Sequence, residues 1–133
     1  MPQKKLAFKV LRATVGVCKL EANAILPTWA YQGDFFSVTK TEDELSIVCS
    51  EIVIPQEVVC EKGWKILKIQ GVLDFGLVGI LALVSTLLAQ AGISIFAIST
   101  YNTDYILVKG DDLDRAVNAL KKEDCEVTYS ELV

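Results

Sequence analysis

From Phe75 to Thr103 the chain runs 29 consecutive residues without an Asp, Glu, Lys or Arg, between Asp74 and Asp104. A run of that length either crosses a bilayer or supplies several buried elements of one core. Three features favour the core. Gly92, after "LAQA", stands where a helix would stop. The following "ISIFAIS" is rich in β-branched and aromatic residues and reads as a strand. The part before Gly92 (76–91) is 16 residues long, short for a span, and it is two-faced. Leu77, Ile80, Leu81, Val84, Leu87, Leu88 and Ala91 share one helical stripe. Gly79, Ala82, Ser85, Thr86 and Gln90 fall on the other. The pattern predicts a helix laid on a sheet, with a small-residue back able to meet another helix.

The rest of the C-terminal half parses around that helix. "WKILKIQ" (64–70) is a strand, and Asp74 is a candidate cap ahead of "GLVGILALVSTLLAQ". "ISIFAISTY" and "DYILVK" are strands joined by a short turn at Asn102-Thr103. "DLDRAVNALKKE" is a second helix, with Asp111 or Asp112 as cap and Leu113, Ala116, Val117 and Leu120 facing inward. "CEVTYS" is a last strand. The order βαββαβ with right-handed crossovers predicts a ferredoxin-like sandwich, an antiparallel sheet with its helices on one face.

The N-terminal half repeats this unit in reduced form. "FSVTKTEDELSIVC" (36–49) matches "FAISTYNTDYILVK" (96–109) at a shift of 60. "VGVCKLE" (15–21) takes the part of "WKILKIQ". "ANAILPTWAYQ" contains Pro27 and cannot form a long helix, and the second helix shrinks to "IPQEVV". "LAFKVLR" (6–12) is one more strand or the start of a long bent one. The expected fold class is therefore α+β, two ferredoxin-like βαββαβ units with the first degenerate, divided as 1–61 and 62–133.

Several chemistries are disfavoured by residue usage. The chain has no histidine, which removes Ser-His-Asp and Cys-His catalysis in their usual forms. Cys18, Cys49, Cys60 and Cys125 contain no C-x-x-C pair, and Cys18, Cys49 and Cys125 sit among apolar or strand-like neighbours. They read as small buried hydrophobes in a reducing compartment, with no metal or cofactor expected. Net charge is −4 and Lys and Arg are scattered, so no nucleic-acid partner is expected. "MPQKKLAF" is followed by no signal-like apolar run, which points to a cytoplasmic protein without membrane attachment.

In a βαββαβ unit the first strand–helix loop and the central hairpin turn lie at one end of the sheet. Here these are "GVLDFGLVG" (71–79) and "STYNTD" (99–104). The first offers backbone N–H groups at a helix start, which favour a carboxylate, and Gly76 and Gly79 permit close approach. The second offers Ser99, Thr100, Asn102, Thr103 and the carboxylate of Asp104, a partner for an ammonium. Together they would suit an α-amino acid. The competing account is ordinary turn chemistry for Asn102, Thr103 and Asp104, with Ser99 or Thr100 only satisfying backbone groups.

The motifs "FFSVTKTEDELSIVC", "GWKILKIQG", "LDFGLVGIL" and "AGISIFAISTYNTDYILV" cover most of residues 15–120. In combination they resemble the ACT-domain family, amino-acid-binding regulatory modules. The resemblance is nearer to one subgroup, short bacterial and archaeal tandem-ACT proteins often labelled aspartate-kinase-like and the cytosolic arginine sensors of animals. The resemblance implies a ligand between two second-type units, held by the helix-start loop and the hairpin. By motif it implicates Leu77, Val78, Gly79 and Ile80, then Thr100, Tyr101, Asn102, Thr103 and Asp104, with Asp74 in the same loop. Because this chain has one such half, the resemblance implies a homodimer. Arginine specificity does not carry over, since Leu77 and Val78 make the ligand's far end apolar.

The expected function is an amino-acid-binding ACT sensor, not an enzyme, whose ligand-linked arrangement is read by a regulated partner protein. The alternatives are a ligand-free oligomerisation module and a small enzyme using Asp74, Asp104 and a thiol.

Overall fold

The computed structural model describes residues 6–70 and 79–130. The described strands are β1 (Ala7–Leu20), β2 (Ser37–Lys40), β3 (Leu45–Ser50), β4 (Val59–Ile69), β5 (Ile95–Ser99), β6 (Asp104–Lys109) and β7 (Glu126–Tyr129). The α-helices are α1 (Ile80–Gln90) and α2 (Leu113–Lys122). Two compact units emerge: Met1–Arg12 with Lys65–Val133, and Ala13–Trp64. "LAFKVLR" is the start of one 14-residue strand, and β1 and β4 each contribute residues to both units.

In the first unit the strand order is β7, the start of β1, the end of β4, β6, β5. A bare split βαβ would set β7 beside β4; here β1 lies between them. β5 and β6 are antiparallel, Ile95 opposite Val108 through Ser99 opposite Asp104. β7 departs from the expected antiparallel pattern, running parallel to β1 from Ala7↔Glu126 to Val10↔Tyr129. The inserted strand contributes to the core: Phe8 and Val10 join Leu67 and Ile69 of β4 and Ile106 and Val108 of β6. These alternate residues share one sheet face, and both helices pack on it.

α1 buries Val84 and Leu88, with Ile80, Leu81, Leu87 and Ala91 packed beside them, as the stripe predicts. Ala82, Thr86 and Gln90 are exposed, and so is Leu83, at 49%. The stop at Gly92 is a Schellman closure. Ile93 N–H donates to the Leu88 carbonyl at 3.0 Å, Gly92 N–H donates to that of Ala89 at 2.9 Å, and Gly92 has φ +76°. α2 buries Ala116, Val117 and Leu120. Asp112 occupies its N-cap position, but makes no side-chain capping bond; its carboxylate pairs with Arg115 at 2.7 Å.

The second unit holds β2, β3 and the later part of β1 in that order, followed by the start of β4. Its helices are reduced, the second to a turn that lies just before the "IPQEVV" (54–59) expected to hold it. After Pro27 there is only a 3-10 turn at Thr28–Tyr31, and after β3 only one at Glu51–Val53. Ala30 and Ile54 fill the core there with Cys18, Leu45, Ile47 and Cys49.

The internal repeat is visible, but at a different offset. The first hairpin closes at Lys40↔Leu45 and the second at Ser99↔Asp104, a shift of 59, not 60. Thr41 N–H donates to the Glu44 carbonyl at 2.9 Å, as Thr100 N–H donates to that of Thr103 at 2.8 Å. The threonine hydroxyls repeat the contact, Thr41 Oγ1 at 3.4 Å and Thr100 Oγ1 at 3.1 Å. Matching side-chain types slides one residue past the true register, because the turn sets the strand pairing.

Candidate functional site

Of the residues expected to bind a ligand, Asp74, Gly76, Leu77 and Val78 lie outside the described residues. Gly79 and Ile80 open α1. Gly79 is its N-cap in the left-handed region at φ +84°, where glycine carries no Cβ penalty, and its carbonyl accepts the Leu83 N–H at 2.8 Å.

The hairpin bend is well organised. Ser99 and Asp104 face each other across the last rung of β5 and β6, and Ser99 Oγ donates to Asp104 Oδ1 at 2.5 Å. Thr100 closes the bend as Thr41 closes the first, so its hydroxyl serves turn geometry common to both hairpins. Thr103 differs. It is the buried polar residue of the bend, 4% exposed, and its hydroxyl donates to the Ile69 carbonyl at 2.8 Å. Its counterpart in the first hairpin is Glu44. Tyr101 is 82% exposed and Asn102 is also exposed.

The Thr103–Ile69 bond has a topological meaning. Ile69 is the last residue of β4, the strand from which the chain leaves toward α1. The bend is therefore tied to the departure point of the strand–helix loop, at one end of the sheet. The Ile69 carbonyl is a positioning group the sequence reading missed. A backbone acceptor carries no residue signature, and only burial of Thr103 reveals it.

Asp104 can act in two ways at once. A carboxylate has about four acceptor sites, and Ser99 engages Oδ1, so accepting from a hydroxyl does not exhaust its capacity for an ammonium. A groove of about 440 Å³ lies elsewhere, at the C-terminal end of α1 against α2, lined by Leu87, Gln90, Ala91, Arg115 and Asn118 among others. It shares no residue with the hairpin bend.

All four cysteines are free, with Cys18, Cys49 and Cys125 buried and Cys60 half-buried. Burial pushes the Cys18 and Cys49 thiols up, and neighbouring thiols act with it on Cys18. Among the described residues no group of three or more His, Cys, Asp or Glu side chains is set to hold a metal ion. No described helix is long and apolar enough to cross a membrane.

The fold has counterparts among known proteins. A family model described as ACT domain matches residues 59–122, and a second model, of an N-terminal domain, matches residues 13–57. No curated protein matches. The crystal structure of protein Atu0741 from Agobacterium tumefaciens is 35% identical, with a TM-score of 0.91, covering 98% of this chain and 97% of that one. VC0802 from Vibrio cholerae, described as a possible transport protein, is 19% identical with a TM-score of 0.71, covering 89% of each chain. Clostridium acetobutylicum aspartate kinase is 16% identical with a TM-score of 0.63; the match covers 88% of this chain and 33% of the kinase. The βαββαβ order, the two helices on one face and the family match lead to one assignment: residues 59–122 of the chain form a domain of the ACT family.

Proposed function

We propose that this chain is a regulatory ACT protein without catalysis of its own, which binds an α-amino acid at the bend of its second hairpin. Asp104 accepts the α-ammonium, and the backbone at the start of α1, with Gly79 and Ile80, receives the carboxylate. The observation that carries this reading is the Thr103–Ile69 bond, which tethers the bend to the strand end that feeds the helix-start loop. The aspartate kinase regulatory subunit of Thermus thermophilus, which shares the fold at a TM-score of 0.57, supports the regulatory class.

Two copies of the chain bring two second-type units together, and the ligand stabilises one arrangement of that homodimer for a partner protein to read. The uncharged, exposed side of α1, with Ala82, Leu83 and Thr86, suits such an association.

A second reading is a ligand-free assembly module. The observation in its favour is that the Thr100 closure recurs at Thr41, so part of the bend is turn chemistry.

Thermal melts against each of the twenty amino acids separate the two. Binding predicts a concentration-dependent rise in Tm for one or a few, about 2.7 kcal/mol of stabilisation at a hundredfold excess over Kd. A stable dimer with no rise for any of them favours the assembly module, and turnover of an added substrate would establish an enzyme.

A further inference from the structure

The last rung of the second hairpin carries a pair of side chains that its turn does not need. Ser99 stands opposite Asp104, and Ser99 Oγ donates to Asp104 Oδ1 at 2.5 Å. The first hairpin has Lys40 opposite Leu45 at the same rung. Lys40 Nζ donates elsewhere, to the Ala22 carbonyl, and Leu45 is buried in the core of its own unit. Both bends nevertheless close in the same way, by a threonine N–H and hydroxyl on the carbonyl three residues on. Turn closure is therefore complete without a serine–carboxylate pair, and turn chemistry does not explain why the second hairpin has one.

The pair also stands on the side of the sheet that bears the helices. Along β6 Asp104 shares its face with Ile106 and Val108, and along β5 Ser99 shares its face with their partners Ala97 and Ile95. Ile95, Ile106 and Val108 pack in the core with Val84 and Leu88 of α1. Asp104 thus ends the helix-bearing face, at the end of the sheet where Thr103 is tied to Ile69. Ser99 is exposed and Asp104 half-buried.

A carboxylate in contact with solvent turns about its side-chain bonds, and fixing such a side chain on binding costs affinity. A hydroxyl bound to one oxygen removes that freedom beforehand and leaves the other oxygen for a cation. Water can replace the hydroxyl on Oδ1, so the charge of Asp104 does not depend on Ser99, whereas its orientation does.

We propose that Ser99 is a positioning residue of the amino-acid site, holding Asp104 by Oδ1 so that Oδ2 is presented to the α-ammonium. This role rests on the amino-acid reading above and adds to it the residue that sets the carboxylate's geometry.

The test uses the full chain and begins with thermal melts of the wild type against each of the twenty amino acids. The amino acid giving the largest rise in Tm is then titrated calorimetrically into wild type, Ser99→Ala and Ser99→Thr, each shown to be folded by circular dichroism. Ser99→Ala should raise Kd about two- to tenfold, the cost of immobilising one more side chain. Ser99→Thr keeps the hydroxyl and should bind as the wild type does. A serine that only stabilised the hairpin would lower the Tm of the unliganded chain and leave Kd as it is. The proposal is overturned if folded Ser99→Ala keeps the wild-type Kd, or if Ser99→Thr binds as weakly as Ser99→Ala. A wild type that responds to none of the twenty overturns the amino-acid reading itself, and this role with it, so the two failures are distinct.

Discussion

Thr103 donates its buried hydroxyl to the carbonyl of Ile69 at 2.8 Å, joining the bend of the second hairpin to the end of β4. The bond spans 34 residues of sequence, so it stabilises tertiary structure, not a local turn. Thr103→Val keeps the shape and removes the donor, leaving a buried acceptor unpaired. The expected loss is about 1–3 kcal/mol, read as a lower urea midpoint at unchanged m-value. Thr100→Val, which touches only the turn, should cost less, about 1 kcal/mol.

Asp104→Asn separates binding from folding. The amide oxygen still accepts from Ser99, so stability should change by less than about 1 kcal/mol. The charge that would hold an ammonium is gone, and the amino-acid-induced rise in Tm should vanish. An unchanged rise would remove Asp104 from the site.

Gly16→Ala places a methyl 2.6 Å from Ile54 Cδ1 and 2.7 Å from Cys60 Sγ. Both neighbours are side-chain ends and can shift, but they are packed in the second core. Overpacking of this kind costs about 1–3 kcal/mol. Gly33→Ala is a useful contrast. Its added Cβ would reach Ser50 Cβ only at 4.0 Å, so any loss there comes from its φ of +95° alone.

Arg115 links the two helices. Its Nη1 donates to the Ala91 carbonyl at the C-terminus of α1, and its Nη2 pairs with Asp112, both at 2.7 Å. The side chain is 55% exposed, so the ion pair itself contributes little. A double-mutant cycle of Arg115→Met with Asp112→Asn should give a coupling below about 1 kcal/mol. The larger part of the Arg115→Met loss should persist in the Asp112→Asn background, since it arises at the helix end.

The buried thiols predict alkaline sensitivity. Burial raises the thiols of Cys18, Cys49 and Cys125 above their ordinary value of 9.0, with Glu123 and Asp124 adding to the effect on Cys125. Above about pH 9 the unfolded chain releases these protons while the folded chain keeps them. The unfolded state then binds fewer protons, so stability is full below pH 9 and falls as pH rises. The slope is at most about 1.4 kcal/mol per pH unit for each thiol. Urea midpoints between pH 7 and 10 measure it, and Cys18→Ala should flatten the fall.

The periodicity of residues 80–91 was enough to predict the buried face of α1, because a 3.6-residue stripe has only one way to meet a sheet. Gly92 announced the helix end, and Pro27 announced the missing helix of the second unit, since both act through local backbone geometry. The motif match to the ACT family likewise needed no coordinates. What the sequence could not determine was pairing between distant strands. That residues 7–12 lie between β4 and β7, and that the repeat has an offset of 59, follow from registers that no local pattern encodes. Only the tertiary structure decided that Thr103 reaches Ile69 while Thr100 closes its own turn, and that the Cys60 thiol and Ile54 close over Gly16. The physical reason is the same in each case: propensity and periodicity act over a few residues, whereas hydrogen-bond partners and side-chain neighbours across a sheet are chosen by the packing of the whole unit.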